Sequence, residues 1–348
     1  MFRAVLAGCG RMAKGWLSAL RDSPDLSGRV QVVGLVDVDV TAAERLKAEY
    51  ALDAKTGPDL DKMLAETKPD VLFDVVVPSA RRDIALTGFR HGCHVLTEKP
   101  MAASIDEARE ILVAARAARR LHAVVQNRRY VPGVRRIRET IASGLLGELT
   151  ALHADFFIGA HFGGFRDVMQ HALLLDMAIH TLDAGRFMAG ADPIAVYALE
   201  TNPRGSWYAH GAAANAIFEL SRGVVFTYRG SWVAEGGTTS WESAWRIIGT
   251  QGTLLWDGAD DFAAKVVASD SGFLRPLKEV AVPPPPDPSQ THGHASVIAA
   301  FLDAIETGHP PETAGEDNIK SLSMVFGAIE SAHAHQRVGI SVEEPSLA

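Results

Sequence analysis

Arg3-Ala4-Val5-Leu6-Ala7-Gly8-Cys9-Gly10-Arg11-Met12-Ala13 is the stretch that decides the fold of this chain. The apolar run from Arg3 to Ala7 reads as a buried strand, and a helical segment from Met12 to Arg21 follows it. In the connecting Gly8-x-Gly10-x-x-Ala13, the first glycine permits a tight strand-to-helix turn. The second lets a pyrophosphate approach the backbone, and the small third residue lets helix pack on strand. A phosphate placed there meets unpaired amides and the positive end of the helix dipole. The motif alone also fits an ordinary turn. Its position between strand and helix, with Asp37 ending the next strand, points to a dinucleotide site. Asp37 suits the adenosine ribose hydroxyls and repels a 2′-phosphate, and neither Val38 nor Asp39 adds a cation. NAD is therefore the expected cofactor, with NADP the alternative.

Outward from that turn the same grammar repeats. Val30–Val36, Val71–Val77, His94–Thr97 and Leu121–Val125 are short, near-continuous apolar runs of the kind that become buried parallel strands. Helical segments at Ala42–Tyr50, Asp83–His91 and Ile105–Arg119 alternate with them, the last opened by a Ser104/Glu107 capping box. Alternation of this kind predicts a doubly wound parallel sheet. Beyond about residue 127 strands dominate: Leu149–Ile158, Ile194–Glu200, Ala212–Leu220, Val224–Trp232, Ala244–Gly249 and Thr253–Trp256. They predict a largely antiparallel sheet, interrupted by one helix over about His171–Met188. The run Pro283–Pro286 fits only an extended connector. Two helices then close the chain, one through Val297, Ile298, Phe301, Leu302 and Ile305, the other over about Glu316–Ala334.

Two constellations carry chemistry. Lys99, in Thr97-Glu98-Lys99-Pro100, follows a parallel strand at the sheet edge where open α/β folds bind ligands. Pro100 restricts it to extended conformations, and a cis bond before that proline is one expectation. The alternative is a solvated Glu98-Lys99 pair in a loop. Asp176 and His180 are four residues apart on the helix of the second half, with Asp183 three further on, so all three share one face. That face fits acid-base work, a solvent-facing stripe or a satisfied core histidine. The spacing also fits a metal, but no third ligand with clear geometry accompanies it, and no metal is expected.

Composition bounds the rest. A chain of 348 residues carries a prior of about two domains. With 47% hydrophobic and 22% charged residues, a sizeable core is expected. The net charge of −8 argues against nucleic acid or an anionic membrane as main partner. No apolar run approaches the ~20 residues that span a bilayer. The N-terminus runs straight into the glycine turn without an h-region and cleavage site, so a secretory leader is not expected. Two cysteines, Cys9 and Cys93, make no disulfide framework. A cytoplasmic protein is expected.

Taken together and in order, these motifs resemble the glucose–fructose oxidoreductase / inositol dehydrogenase / MocA family. The glycine fingerprint, Glu98-Lys99-Pro100 and Asp176-Met177-Ala178-Ile179-His180 carry the resemblance over nearly the whole chain. Gln126-Asn127-Arg128-Arg129-Tyr130, Gly144-x-x-Gly147 and Gly249-x-x-Gly252-x-Leu254 extend it. The resemblance implies an N-terminal Rossmann domain over 1–126. It also implies an α/β domain over 127–348 with a large, mostly antiparallel open sheet, whose C-terminal helices, about 292–335, pack back toward the Rossmann domain. It implies NAD- or NADP-dependent oxidation or reduction of a secondary hydroxyl of a sugar, polyol or related compound. A homodimer or homotetramer assembled through the second sheet is implied as well.

Carried over residue by residue, Lys99 polarises the substrate, His180 is the general acid-base and Asp176 orients the substrate beside it. The cofactor set is Gly8, Gly10, Arg11, Met12, Asp37, Pro78, Glu98, Lys99 and Asn127. Two departures from the family pattern bear on the substrate. Arg82 stands four residues after Pro78 where many members have histidine, and Gln170-His171-Ala172-Leu173-Leu174 replaces a glycine-rich approach to the catalytic helix. His161, Arg166, His171 and Trp241 are the candidate substrate residues. Arg166 equally fits a plain surface arginine, and Trp241 simple packing. Two further readings stand beside the dehydrogenase. One is elimination or glycoside cleavage through transient oxidation by NAD, and the other a non-catalytic NAD sensor.

Overall fold

The computed structural model describes residues 1–341, so the last seven residues of the expected second domain, 342–348, lie outside the described residues. The chain divides into two compact units. One joins Met1–Asn127 with His292–Ile319, and the other joins Arg128–Thr291 with the segment from Lys320 onward.

In the first unit β1 (Phe2–Ala7), β2 (Val30–Val36), β3 (Lys55–Gly57), β4 (Val71–Asp74), β5 (His94–Thr97) and β6 (His122–Val124) form one parallel sheet in the order β3-β2-β1-β4-β5-β6. The helices α1 (Arg11–Asp22), α2 (Val40–Glu49), α3 (Leu60–Thr67), α4 (Arg81–Arg90) and α5 (Ile105–Ala118) connect the strands. The order reverses at β1/β4, which puts the β1–α1 turn at the switch point of the sheet. Burial explains the apolar runs: Ala4, Val5 and Leu6 are fully buried, as are Val71, Leu72 and Phe73. Half of the expected capping box forms: Glu107 N–H donates to the N-cap Ser104 Oγ at 3.1 Å, but Glu107 Oε2 accepts from Ala103 N–H, one residue earlier, at 3.0 Å.

Up to residue 142, three features differ from the sequence reading. The β3–α3 segment was not anticipated, because β3 is three residues long and α3 eight. Asp59 marks α3, its Oδ1 accepting from Lys62 N–H at 3.0 Å. The strand expected to reach Val77 ends at Asp74, since Val75–Val77 already turns toward Pro78. The third is a second helix missing from the reading, α6 (Pro132–Ala142), which comes after Asn127 and begins on a proline at its first turn.

The second unit is built on nine strands. β7 (Leu149–Phe157), β8 (Pro193–Thr201), β9 (Ala213–Leu220), β10 (Val225–Ser231), β11 (Ala244–Gly249), β12 (Gly252–Trp256), β13 (Phe262–Val267), β14 (Leu277–Val280) and β15 (Val338–Gly339) line up as β14-β13-β12-β11-β7-β10-β9-β8-β15. Every pairing is antiparallel except β10 with β7, which is parallel. One face is apolar and packed: Phe156, Phe218, Phe226, Tyr228, Trp245, Ile247 and Leu254 are buried, and Phe226 stacks on Phe218 and Trp245 at 5.9 Å each. The other face, including Ile194, Tyr197, Leu199 and Ile217, is exposed. Helix α7 (Ile179–Ala189) covers the packed face, and Gly185 makes this possible: a β-carbon there would lie 2.7 Å from the Phe226 ring. Gly190 ends α7 in the left-handed conformation, its N–H returning to Arg186 and Phe187 carbonyls. The connector holding Val282 and Pro283 is fixed to α6, with both carbonyls accepting from Arg136 at 2.9 and 3.0 Å. After the connector come α8 (His294–Thr307) and α9 (Gly315–Ala334), and β15 follows α9. No described helix is long and apolar enough to cross a membrane.

Candidate functional site

The glycine turn has the geometry that a pyrophosphate needs. Gly8 sits at φ +93°, and a β-carbon there would lie 2.6 Å from the Val75 carbonyl, so only glycine fits. A β-carbon at Gly10 would touch nothing within 4 Å, which leaves that backbone open to approach. Gly10 is also the N-cap of α1, no side chain caps that helix, and its first turn holds no acidic residue. Asp37 is fastened to the turn: its Oδ2 accepts from Cys9 N–H at 2.7 Å and its Oδ1 from Asp39 N–H at 2.9 Å. Arg11 and Met12 lie exposed on the first turn of α1. These residues fit an NAD pyrophosphate and ribose. Cys9 is no competing nucleophile, because burial, followed by the Asp37 charge, pushes its thiol up to about 12.

The Glu98-Lys99-Pro100 segment leaves the end of β5 inside a buried polar network. Thr97 is fully buried and its Oγ1 lies 3.0 Å from His122 Nε2. Glu98 is 4% exposed: its Oε1 accepts from Trp16 Nε1 at 2.8 Å and meets His294 Nε2 at 3.2 Å, and its Oε2 accepts from the Lys99 N–H at 3.1 Å. Burial raises the Glu98 carboxyl, but the bond and charge of His294, with Trp16 and Arg81, more than offset this and hold it below its usual range. The Lys99–Pro100 bond is cis, the Pro100 carbonyl accepts from Arg81, and Lys99 itself is half-buried. Arg81 also donates to the Val76 carbonyl at 2.8 Å, next to the turn at Pro78. Asp74, fully buried at the end of β4, has its carboxyl pushed up to about 7 by burial, against the pull of Arg81. Asn127 opens the turn after β6 and lies 3.4 Å from His294 Nδ1. Glu98, expected at the cofactor, thus has its carboxylate engaged within the unit.

In the second unit the helical segment anticipated over 171–188 is composite. His171 stands at φ +52°, Leu173–Ala178 winds as a π-helix, and α7 continues from Ile179. Wide π turns recur at functional sites, and here one presents Asp176 while His180, 9% exposed, lies in the first turn of α7. Asp183 does not join them at a common working face. Its carboxylate is 1% exposed, pairs with Arg129 at 2.6 and 2.8 Å, and accepts from Ser321 Oγ at 2.5 Å. This buried pair anchors α7.

The Asp176 carboxylate meets Arg166 Nε at 2.5 Å, and the Arg166 guanidinium lies 4.9 Å from the Phe162 ring and 4.7 Å from Phe165. Phe162 packs edge-on against Trp232 at 5.2 Å and lies 6.2 Å from Trp241, which is half exposed. Tyr208 stacks on Trp232 at 5.8 Å, and its hydroxyl donates to the Ala160 carbonyl. Arg166 and Trp241 therefore belong to one aromatic-flanked patch with Asp176. His161 stacks on Trp207 at 3.7 Å and bonds Glu235 at 2.9 Å on the rim. His171 is drawn elsewhere, its Nδ1 bonding Glu200 at 2.5 Å and its ring lying 5.0 Å from His333. Arg82, the departure after Pro78, is tied to Asp83 and Glu110 at the surface. Phe162, Tyr208, Arg129, Trp16 and His294 escaped the sequence reading as site residues. Their partners lie far away in the chain, and only the aromatic richness of 156–165 hinted at one of them.

Comparison with known proteins identifies the family of the chain. Residues 2–126 match the model of the oxidoreductase family with an NAD-binding Rossmann fold, GFO_IDH_MocA, and residues 134–255 match the GFO/IDH/MocA C-terminal domain. A 1,5-anhydro-D-fructose reductase of Ensifer adhaerens is 27% identical over 98% of this chain and 99% of its own. An inositol 2-dehydrogenase of Rhizobium meliloti is 22% identical over 97% and 99%. An oxidoreductase from Agrobacterium radiobacter, solved with NAD+, L-tartaric acid and magnesium, shares the fold with a TM-score of 0.85 at 20% identity, covering 97% of this chain and 98% of that one. The chain belongs to the GFO/IDH/MocA family of NAD-binding oxidoreductases, with a Rossmann domain followed by a mostly antiparallel open sheet.

Proposed function

We propose that this chain is a dehydrogenase moving hydride between NAD and a secondary hydroxyl of a sugar, polyol or inositol. The observation that carries the substrate class is the Arg166–Asp176 pair framed by Phe162, Phe165 and Trp241, beside His180 on the same helical segment. A guanidinium and a carboxylate side by side offer a donor and an acceptor to neighbouring hydroxyls, while ring faces suit the apolar C–H face of a sugar. The named activities of the two full-length relatives support the same class.

NAD, held at Gly8, Gly10 and Asp37, supplies the hydride acceptor. The rest falls to the side chains. Removal of hydride from a carbinol carbon must be matched by loss of its hydroxyl proton, and the His180 imidazole takes that proton, a task suited to histidine near neutral pH. Lys99 stabilises the alkoxide as the proton leaves, through a charge that strengthens as water is excluded. Asp176 holds an adjacent hydroxyl and so fixes which carbinol faces His180. In the reverse direction His180 returns the proton.

Assembly through the outward face of the second sheet is part of this proposal. Tyr197, Leu199 and Ile217 stand exposed there on neighbouring strands, an apolar surface that pairing would cover. Light scattering on the purified chain reads dimer or tetramer against monomer. The function is tested by absorbance at 340 nm with NAD or NADP and a panel of sugars, inositols and sugar acids. NADH accumulation with a neutral sugar or polyol is expected. Product formation without NADH accumulation would replace the dehydrogenase by transient oxidation, and silence with NAD bound in calorimetry would leave a sensor.

A further inference from the structure

We infer that His294 is a positioning residue for Lys99, acting through Glu98. The inference rests on the catalytic role proposed for Lys99, but its structural link stands on contacts within the first unit alone. A carboxylate as buried as Glu98 is costly unless donors match its oxygens. Oε1 is held by Trp16 Nε1 at 2.8 Å and His294 Nε2 at 3.2 Å, and Oε2 by the Lys99 N–H at 3.1 Å. The two ring nitrogens of His294 face two partners: Nε2 meets Glu98 Oε1 at 3.2 Å, and Nδ1 lies 3.4 Å from the Asn127 side-chain amide. The Trp16 ring stands edge-on to the imidazole at 6.3 Å.

The consequence reaches Lys99 through its backbone. Its N–H is tied to Glu98, and on its other side the Pro100 carbonyl is tied to the buried Arg81. With both flanks fixed, the ammonium sweeps a smaller volume, which is what a group aimed at one oxygen requires. Without His294 the Glu98 carboxylate keeps Trp16 as its Oε1 donor and is free to turn, which loosens the Lys99 amide. His294 comes from the start of α8, 195 residues beyond Lys99, so the C-terminal part of the chain helps set a residue of the Rossmann sheet edge.

The test pairs His294→Ala with His294→Gln, which keeps a donor in nearly the same place. The His294 side chain is 24% exposed, so both variants should fold. Two readouts are taken: hydrogen exchange at the Lys99 amide, resolved by fragmentation mass spectrometry, and kcat at saturating NAD with the NAD affinity from calorimetry. In His294→Ala, exchange at Lys99 should quicken at least tenfold while amides of β4 stay unchanged. kcat should fall about tenfold with NAD affinity altered less than threefold, and His294→Gln should recover most of both. Unchanged exchange at Lys99 overturns the link from His294. Faster exchange with unchanged kcat overturns the positioning role in turnover and counts against Lys99 as a reacting group. A parallel loss of NAD affinity and kcat, not recovered by glutamine, would make His294 a structural residue only.

Discussion

At the end of β5, Glu98 is 4% exposed and its carboxylate is bonded on both oxygens, whereas in the loop before α7 Phe165 is 65% exposed and Arg166 is held by one ion pair and two ring faces. Both stretches carry residues of the proposed chemistry, yet they are built in opposite ways. In a buried network, removing one member leaves its partner unsatisfied in low dielectric, which costs about 1–3 kcal/mol and often more for a charge. The Arg166–Asp176 pair is partly open to solvent, with side chains 27% and 17% exposed, so it contributes on the order of 1 kcal/mol to stability and its members can change without unfolding the unit. The sheet edge is thus suited to a fixed operation and the loop to a variable choice of substrate.

The contrast can be broken in four places. Lys99→Ala should have the largest effect, lowering kcat about a thousandfold, or roughly 4 kcal/mol of transition-state stabilisation, while calorimetry shows NAD still bound. Unchanged turnover would remove Lys99 from the chemistry. Next comes Gly8→Ala, which forces a β-carbon into the Val75 carbonyl at a positive φ. It should lower stability by more than about 3 kcal/mol in urea unfolding and abolish NAD binding, and a fully stable variant would show that the turn is not rigid.

Acid should attack the first unit through His122. Burial lowers this imidazole from its ordinary value to about 3, and burial followed by Arg120 lowers His94 to about 4. Each stays neutral in the folded chain and takes up a proton on unfolding, so the stability it provides is present above about pH 6.5 and is lost as pH falls toward the folded value. Near pH 5, His122 alone should contribute about 1.4 kcal/mol of lost stability per pH unit, and urea titrations of His122→Asn should show a shallower slope. Equal slopes would place the acid sensitivity elsewhere. Arg166→Ala should do least: substrate KM up about three- to tenfold, or roughly 1 kcal/mol, with thermal stability nearly unchanged. If kcat fell a hundredfold at constant KM instead, the loop would belong to the fixed machinery and the contrast would fail.

What could be read beforehand follows the same division. The strand–glycine turn–helix at Arg3–Ala13 and the buried strands after it depend on local rules, namely apolar runs, a tight turn and a cap, and each is present within a dozen residues. The position of Lys99 after a parallel strand and the Asp176/His180 spacing are equally local. The three-residue β3 left no periodicity to detect, and the π turn before α7 altered a spacing that assumed 3.6 residues per turn. Asp183 looked like a third member of the working face. Only the fold could show that Arg129, 54 positions earlier, takes its carboxylate into the core.

By itself, then, the sequence determined the two-part α/β architecture, the dinucleotide turn and the order of the chemical residues, because propensity and burial period act between neighbours. The tertiary structure alone decided what each of those residues is bonded to. Trp16, His294 and Glu98 are separated by 82 and 196 positions, and Arg166 chooses Asp176 over solvent only once the loop is folded beside the π turn. Such pairings are set by which groups share a dry site, and desolvation is a property of the whole packed unit rather than of any segment of the chain.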